Sequence, residues 1–572
     1  MDIAVTGSVE SASTPFRHRR NITALTGLRF LAAFSVAIAH GSDVTFRISA
    51  PSHSFSIAKY WLSSAAGVGM PLFFVLSGFV IHYNYRTLIR TKGAAGFFEF
   101  LWARFSRLYP LFIVFLFSDF ILSPRTYLSV MDDRLDILSG LAALPYFLTF
   151  TQSWIYSLVH DHIVIFRLGS ALPVTWSIST EWFFYLCYPV VLFFVMRVNR
   201  PIHVIGLALA WTLIWGIFAY ELDFHAGRLD IWATRYFGVA AAQAYNPDEF
   251  FVRWLLYFSP YLRIGEFILG CIVAQLYLAL EAKKPDGLER TIALISVVGA
   301  IVSVPVLMYM MYGPITDFWV RHLNSNYGLA PSLGIILFCA ARYDFVGLRW
   351  LSSRPIILLG EASYSIYLTH MLVFLIVCGS QGPLPGDLAS AIYLYARLIV
   401  ALAVIGLLSI ALFTWLEDPA RRALRAVWRK PGFPLVPALV NAAAIAATVV
   451  LVVQNGLVIA HAGRSLALSG VQIVSATYGE NCGAAKGNAT LKVQAECQGR
   501  TECDYVVNAA RLGDPAPGCG KTFAVNFRCA PRRDVSNISL PAEAGLGSLA
   551  RLSCNKDDDN SGLLGLRAPA SK

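Results

Sequence analysis

Charged side chains are scarce in this sequence of 572 residues. Asp, Glu, Lys and Arg make up only 14 % of it, whereas 56 % of the residues are hydrophobic. A soluble globular protein carries about a quarter charged residues, so this composition excludes an ordinary soluble domain. The hydrophobic residues form long runs, such as 111–117 and 399–413, and about 20 apolar residues cross a bilayer as a helix. The sequence predicts a polytopic α-helical membrane protein.

Several other signals are missing. The net charge of +11 is not accompanied by a nucleic-acid recognition motif, and the basic residues lie in short clusters between apolar runs, as in cytoplasmic loops of membrane proteins. We therefore expect no nucleic-acid partner. The polar leader 1–21 continues into an apolar helix without a convincing cleavage site, so no cleavable signal peptide is expected. No metal site and no permanently bound cofactor are predicted.

Cysteines are unevenly distributed along the chain. Four of the ten lie singly in apolar segments and are expected to be small core residues: Cys187, Cys271, Cys339 and Cys378. The other six crowd into the polar C-terminal region: Cys482, Cys497, Cys503, Cys519, Cys529 and Cys554. An even number in a short, Gly-rich segment indicates disulfides and hence an oxidising compartment. Six cysteines allow fifteen pairings, and the sequence does not choose among them.

Eleven spans satisfy both the apolar pattern and the charge pattern, at 24–42, 61–84, 103–122, 173–196, 202–220, 257–280, 291–311, 327–341, 357–378, 391–416 and 436–459. With the N-terminus inside, the basic clusters fall on cytoplasmic loops. The odd count then places the cysteine-rich region outside. The apolar stretch 135–155 would invert this topology if it spanned, so it is predicted to be an outer-surface or re-entrant helix.

The chain therefore divides into four parts. A cytoplasmic leader covers 1–22, a membrane domain covers 23–420, and a basic loop with a further span covers 421–462. A small disulfide-rich α/β domain, expected outside the cytoplasm, covers 463–572 with a core at about 470–530. We expect the protein to lie in the cytoplasmic membrane of a bacterium, with membrane lipid as a partner.

Ionisable side chains within spans are costly, which makes them candidates for function. Arg29 and His40 of the first span are eleven residues apart, so they share a helix face about 16 Å apart. Glu181 and Tyr185 share a face of the fourth span, and Arg104 and Arg107 begin the third. Each also has an ordinary explanation: snorkelling or interfacial positions, a buried structural hydrogen bond, or charge at an inner boundary. Further polar candidates are Ser177, Arg263 with Glu266, and the set Ser363, Tyr367 and His370.

Six motifs in this region resemble the membrane-bound acyltransferase-3 family, which modifies surface polysaccharides and other extracytoplasmic acceptors. The first motif covers 25–33 and is followed by His40, so that Arg29 and His40 form an Arg-x10-His pair. The other five are 67–79, 104–110 (Arg-x-x-Arg-Leu-x-Pro), 176–189, 265–270 and 363–370. Each is weak alone, but six in the family's order are specific. Two departures are Pro71 and the sequence Thr180-Glu181-Trp182, which removes a second carboxylate.

The resemblance implies an O-acyltransferase, with acetyl as the first expectation. The donor would be cytoplasmic acyl-CoA and the acceptor an extracytoplasmic carbohydrate such as lipopolysaccharide O-antigen or exopolysaccharide. His40 would be the general base, assisted or oriented by Glu181. Arg29 would hold the donor arm or polarise its thioester, and Arg104 with Arg107 would bind the CoA phosphates. Direct transfer and a covalent acyl-enzyme both remain open.

The C-terminal region resembles the rhamnose- or galactose-binding lectin domain first known from sea-urchin eggs. The resemblance rests on 475–479, 497–503, 513–515, 521–523 and 527–529. It implies a carbohydrate-binding module, with Tyr478, Asp514 and Lys521 as sugar contacts. Glu480 and Ala516 replace the usual Arg and Cys, and the alternative is a disulfide-stapled module without a ligand.

Two rival functions come from other classes. A transporter or flippase of lipid-linked sugars would also place ionisable residues at mid-membrane, but the sequence shows no obvious inverted repeat. A membrane-anchored carbohydrate-binding protein without catalysis would need only one span.

Overall fold

The structure, a computed structural model, describes residues 22–46, 61–122, 143–156, 158–159, 162–166, 168, 171–237, 251–312, 323, 327–378, 388–428, 470–497, 500, 502–513, 515–516, 518–530 and 534–554. The longer α-helices described in the membrane region are α1 (Thr23–Phe46), α2 (Ala66–Lys92), α3 (Ala94–Leu122), α4 (Trp176–Val195), α5 (Pro201–Phe224), α6 (Ala226–Phe237), α7 (Pro260–Leu280), α8 (Gly287–Tyr312), α9 (Ala330–Arg342), α10 (Arg354–Glu361), α11 (Ser363–Cys378), α12 (Leu388–Leu412) and α13 (Asp418–Trp428). Short helical turns precede α4 and α7, at Leu172–Thr175 and at Phe251–Arg253 with Trp254–Phe258.

The apolar runs form the predicted spans. Among the described residues, eight helices are long and apolar enough to cross a membrane, and two bent pairs raise the number to ten. The bends measure 82° between Ala330–Arg342 and Val346–Ser352, and 70° between Arg354–Glu361 and Ser363–Cys378. The first ten predicted spans each coincide with one of these candidates. The polytopic helical architecture is thus confirmed, whereas the eleventh span, predicted over 436–459, lies outside the described residues.

Helices α2 and α7 form the centre of the bundle, and glycine allows their backbones to touch. A Cβ at Gly78 would lie 2.0 Å from the carbonyl oxygen of Phe267, and one at Gly270 would lie 2.0 Å from that of Val75. No side chain fits in such a space, so the two glycines are what permits the close approach.

Other helices lie at the rim of the bundle. Only 11 % of the apolar stretch of α5 and 22 % of that of α8 are buried. Their outward residues are large and apolar, such as Leu209 (67 % exposed) and Ile295 (68 % exposed). Apolar surface of this extent is expected where lipid, not water, surrounds the helix.

The stretch predicted over 135–155 is described from residue 143 onward. Residues 143–148 form one short helix, which at 1.5 Å per residue is only about 9 Å long. Its continuation is buried against α4, where the Trp154 indole donates to the carbonyl of Ser179 (2.9 Å). Ser153 donates its hydroxyl to that of Ser179 (2.9 Å). The described part is therefore too short to span a membrane.

The C-terminal region adds β-strands, which follow a two-residue hairpin, β1 (Leu158–Val159) and β2 (His162–Ile163), in the membrane region. They are β3 (Gly470–Tyr478), β4 (Glu502–Asn508), β5 (Phe523–Ala530), β6 (Val535–Leu540) and β7 (Leu546–Ser553), with helices α14 (Thr490–Cys497) and α15 (Ala509–Leu512) between β3 and β5. Strand β5 pairs antiparallel with β3 and β6, and β4 pairs antiparallel with β7. The core includes Val471, Val493, Val507, Phe523 and Val525, all fully buried.

All six cysteines of this region form disulfides. The pairs are Cys482–Cys519, Cys497–Cys503 and Cys529–Cys554. The four cysteines of the membrane region are free thiols, and three of them are buried. The prediction of a small, disulfide-rich α/β domain is confirmed, and the structure supplies the connectivity that the spacing left open.

Candidate active site

A cavity of about 80 Å³ lies between α1, α2, α3, α4 and α11. Its lining along α2 extends from Met70 to Ile81, and the eleven helical steps between these residues correspond to about 16 Å. This is half of the roughly 30 Å hydrocarbon thickness of a bilayer. The cavity is thus elongated along the helix axes within the membrane domain.

Four predicted charged residues meet in this cavity although they come from three helices. Arg29 (α1), Arg104 and Arg107 (α3) and Glu181 (α4) all line it. Three guanidinium groups against one carboxylate leave the lining with a positive charge. Buried like charges are unfavourable without a counter-ion, so the site is suited to an anionic ligand.

Arg104 is held rigidly at this site. Its side chain is 7 % exposed, and Nη2 donates to the Tyr85 hydroxyl at 2.7 Å. Its Cζ atom lies 4.8 Å from the centroid of the Tyr85 ring. Its Nε has no hydrogen-bond partner among the described residues. A buried guanidinium with a spare donor is a strong anchor for a phosphate or carboxylate.

Glu181 lies among the cationic residues of the cavity. It interacts electrostatically with Arg29, Arg104 and the hydroxyl of Tyr185. Tyr185 is one turn along α4 and also lines the cavity. The carboxylate therefore balances part of the positive charge and orders the groups around it.

A polar cluster closes the cavity on the side of α11. Ser177 donates to the Tyr367 hydroxyl (2.7 Å), which in turn donates to the carbonyl of Val174 (2.6 Å). Ser363 and Tyr364 line the same cavity, and the Tyr364 hydroxyl donates to the carbonyl of Leu108 (2.6 Å). The predicted polar residues Ser177 and Ser363 are thereby brought to the charged cavity.

His40 does not line the cavity but pairs with His370 one turn beyond Tyr367. Nδ1 of His40 lies 2.8 Å from Nε2 of His370, and the two rings are nearly parallel, with centroids 5.1 Å apart. His370 is fully buried. Its ring centroid is 5.7 Å from that of Tyr367, which connects the histidine pair to the cavity.

The hydrogen bonds of the pair determine its tautomers. Nδ1 of His370 lies 2.7 Å from the carbonyl oxygen of Tyr367, which can only accept, so this nitrogen carries the proton. Nε2 of His370 then has the lone pair and accepts from Nδ1–H of His40. With both rings neutral, the lone pair of His40 is on Nε2.

The remaining predicted residues lie elsewhere. Glu266 forms the expected ion pair with Arg263 (2.9 Å), and both are buried away from the cavity. In the C-terminal domain Tyr478 is 4 % exposed and Lys521 6 % exposed, with the Lys521 ammonium donating to the carbonyl of Cys519 (2.8 Å). Asp514 lies outside the described residues. The described geometry thus directs neither Tyr478 nor Lys521 to solvent, and sugar contact through these residues stays a prediction.

Glu417 and His82 are among the buried polar residues that were not predicted. Glu417, 1 % exposed, accepts from the Ser365 hydroxyl (2.8 Å) and is an electrostatic neighbour of Arg107. His82 is fully buried in α2, with Nε2 3.0 Å from Oε1 of Gln275. The cost of ionisable groups in spans could have indicated His82. Glu417 ends an apolar run next to basic residues and resembles an ordinary boundary charge.

Comparison with known proteins decides the family. The sequence profile of the acyltransferase-3 family, an acyltransferase domain, matches residues 22–417. This chain belongs to the acyltransferase-3 family. The matched range includes every residue of the cavity and both histidines of the pair. The family resemblance found in the motifs is therefore confirmed, and the C-terminal domain lies outside the acyltransferase domain.

Two curated relatives illustrate the similarity. The O-acetyltransferase OatA of Staphylococcus aureus (strain NCTC 8325 / PS 47) is 24 % identical over 411 residues, which are 70 % of this chain and 58 % of OatA. The acyltransferase MdmB of Streptomyces mycarofaciens is 26 % identical over 357 residues, 62 % of this chain and 79 % of MdmB. The aligned part thus spans little more than half the length of OatA. No solved structure matches this acyltransferase-3 chain.

Proposed function

We propose that this protein is a membrane O-acyltransferase that moves an acyl group, acetyl in the first instance, from cytoplasmic acyl-CoA to a carbohydrate hydroxyl on the other side of a bacterial cytoplasmic membrane. The observation that supports this most is the elongated cavity that joins Arg29, Arg104, Arg107 and Glu181. Family membership and the O-acetyltransferase and acyltransferase relatives support the reaction class.

The donor would enter at the arginine end. Acyl-CoA carries several phosphates, and arginine binds phosphate through paired donors. Arg104 offers a buried, pre-positioned guanidinium with a spare Nε, and Arg107 adds a second. The narrow cavity along α2 would accept the flexible arm that ends in the thioester. Arg29, further along the cavity, would hold the donor arm, because about 16 Å of helix α1 separates it from His40.

The acceptor would meet the thioester near the histidine pair. In direct transfer, Nε2 of His40 removes the proton from the acceptor hydroxyl while the oxygen attacks the thioester carbonyl carbon. The C–S bond then breaks, CoA leaves as its thiolate, and the proton is returned by the imidazolium. His370 would hold Nδ1 of His40, as the carboxylate does in a hydrolase triad.

Glu181 would act on the donor side. Its neighbours are Arg29, Arg104 and Tyr185, so it would set the orientation of Arg29. The role predicted from sequence, orienting His40, stays a prediction. The two roles affect different reactants: orienting Arg29 affects the donor, and orienting His40 affects the acceptor. A Glu181→Gln variant would change donor binding in the first case and acceptor deprotonation in the second.

A carbohydrate acceptor is supported by the family resemblance and by the separate C-terminal domain. The disulfides of that domain are stable only in an oxidising compartment, which supports an acceptor outside the cytoplasm. The basic loops support the same orientation of the membrane helices.

The test compares ester-linked acyl groups on surface glycans from cells with the gene, without it, and with the His40→Ala variant. We expect the acyl esters to disappear in the second and third cases and to return with the wild-type gene. Identical ester content in all strains would overturn the proposal. With purified protein in lipid nanodiscs, labelled acetyl-CoA should yield an alkali-labile acetyl ester on the isolated glycan.

A further inference from the structure

A second cavity lies where α4 ends and α5 begins. It shares no lining residue with the cavity that contains Arg29, Arg104, Arg107 and Glu181, which is called the donor cavity below. It is a groove of about 630 Å³, here called the basic groove. Arg197, Arg200 and His203 surround its mouth and are exposed, and no acidic residue is among its described lining residues. Its floor continues along α5 past Leu207 and Ala210, which follow His203 at helical spacing.

The loop that carries the arginines is fixed from the interior of the bundle. Nε2 of Gln275 donates to the carbonyl of Val198 (3.0 Å) and to Oδ1 of Asn199 (2.9 Å). The same Gln275 is held by His82 at 3.0 Å. A loop that served only as a topology marker would need positive charge but no such internal anchor.

The guanidinium of Arg197 is also positioned. Its Cζ atom lies 3.7 Å from the centroid of the Phe193 ring, and a cation over an aromatic face is stabilised there. Two guanidinium groups and an imidazole are therefore gathered at one concave site without a carboxylate, which fits an anionic partner.

The residues beside the basic groove indicate which kind of anion it binds. Helix α5 is mostly exposed, and residues beside the groove are large and apolar, such as Ile202 (69 % exposed) and Ile205 (40 % exposed). Such a helix faces lipid. The ligand that meets both surfaces has a negatively charged head at the membrane boundary and hydrocarbon chains alongside α5. Basic pockets on the cytoplasmic side of membrane helices recognise anionic headgroups in this way.

We propose that the basic groove binds the phosphate headgroup of an anionic phospholipid in the cytoplasmic leaflet, with the acyl chains lying on α5. This site is independent of the proposed acyl transfer, because its residues do not overlap with the donor cavity. A bound lipid would stabilise the α4–α5 loop against thermal unfolding.

The test measures binding of phosphatidylglycerol to the purified full chain, by native mass spectrometry and by the shift in melting temperature. We expect stabilisation by phosphatidylglycerol and none by phosphatidylcholine. Removal of both arginines (Arg197→Ala with Arg200→Ala) should weaken binding at least roughly fivefold per arginine. Lys284→Ala, an exposed loop residue outside the groove, is the matched control and should bind as wild type.

Three outcomes would overturn the proposal: an unchanged affinity in the double variant, an equal shift with inorganic phosphate alone, or displacement of the lipid by acetyl-CoA. The first would mean that the groove is not the lipid site. The second and third would mean that it takes a free anion or the donor. An unchanged melting temperature of the double variant in phosphatidylcholine confirms that it is folded.

Discussion

At the residue scale, the hydrogen bonds of the histidine pair imply that the proton of His40 is on Nδ1. His370 directs its Nδ1–H to backbone carbonyl oxygen, that of Tyr367 at 2.7 Å, so its Nε2 accepts from Nδ1–H of His40. His40 thereby presents Nε2 as the basic nitrogen. A neutral histidine without such a partner exchanges between two tautomers, of which one has the wrong nitrogen protonated.

This claim is tested by two substitutions of His370. Glutamine at this position can accept from Nδ1–H of His40 through its side-chain oxygen, whereas leucine cannot. We expect His370→Leu to lower kcat at least about tenfold, because wrong-tautomer variants of a catalytic histidine lose much more. His370→Gln should recover most of that loss, with the KM for acyl-CoA unchanged in both variants. Equal activities of the two variants would reduce His370 to a packing residue.

The base itself is tested by His40→Ala. Loss of a general base typically lowers a rate by about 10²–10⁴. We expect the variant to be produced and inserted at normal levels, which size-exclusion chromatography can check, and to lose O-acylation by a factor in that range. A stable variant that retains near-normal acylation would exclude His40 from the chemistry.

Arg107 provides a test of the donor end. Since its proposed contact is with CoA phosphates, Arg107→Ala should raise the KM for acyl-CoA more than the KM for the acceptor. Arg107→Lys should restore only part of the affinity, because an ammonium group cannot donate as a planar fork. Arg290→Ala, an exposed arginine at the start of α8, serves as the control. An unchanged donor KM in Arg107→Ala would return this residue to the role of a boundary charge.

The sequence singled out the four charged residues that line the cavity, and the reason is energetic. Ionisable groups in apolar segments are rare because they are costly, so Arg29 and Glu181 stand out without any structure. What brings them into one cavity is the packing of helices far apart in sequence, which no local pattern contains. The same limit applies to the partner of His40, since His370 is 330 residues away.

At the element scale, the central contact between α2 and α7 depends on glycine. Each helix inserts a glycine against a backbone carbonyl of the other, with 2.0 Å between the position of a Cβ at Gly78 and the Phe267 oxygen. Neither carbonyl can move aside as a side chain could. Any substituent at Gly78 or Gly270 must therefore separate the two helices.

We expect Gly78→Ala to lower the melting temperature in detergent, with a cost of about 1–3 kcal/mol, as for overpacked cores. The matched control is Gly299→Ala in α8, where a Cβ would meet nothing within 4 Å. Because alanine favours the helix over glycine by about 1 kcal/mol, the control should be neutral or slightly stabilised. Equal melting temperatures for the two variants would contradict the close packing of α2 on α7.

The positions of the first ten spans could be predicted because bilayer thickness fixes helix length. The bends could not. The break of 70° between Arg354–Glu361 and Ser363–Cys378 begins α11 at Ser363 and so directs Ser363 and Tyr367 toward the cavity. No Pro or Gly marks the junction at Ala362, and Gly360, two residues earlier, packs against the carbonyl of Thr26. Helix α10 therefore lies directly against α1 next to the bend, a contact that no local sequence pattern contains.

At the scale of the whole molecule, two units of different chemistry are joined in one chain. The acyltransferase domain ends at residue 417, and the disulfide-bonded domain is described from residue 470. Cysteine spacing and composition predicted the disulfide-rich nature of the C-terminal region. The same patterns could not predict whether the second unit binds sugar, because Tyr478 and Lys521 of the lectin pattern are buried and affinity depends on which side chains remain accessible.

If the C-terminal domain binds the acceptor polymer, its benefit is effective concentration. A tethered binding site can raise the local concentration of its ligand to the millimolar range for short linkers, and it does so without touching the reacting atoms. Deletion of 463–572 should then raise the apparent KM for polymeric acceptor and leave kcat and KM for a small, soluble acceptor unchanged. A change in the kinetic constants for both classes of acceptor would instead indicate that the domain supports the membrane fold.

The isolated, oxidised domain should bind the polymer on a glycan array, and reduction of its three disulfides should abolish that binding. If the domain binds no glycan and its deletion leaves polymer acylation unchanged, the lectin hypothesis fails while the acyltransferase proposal stands, because the cavity and the histidine pair lie entirely within 22–417.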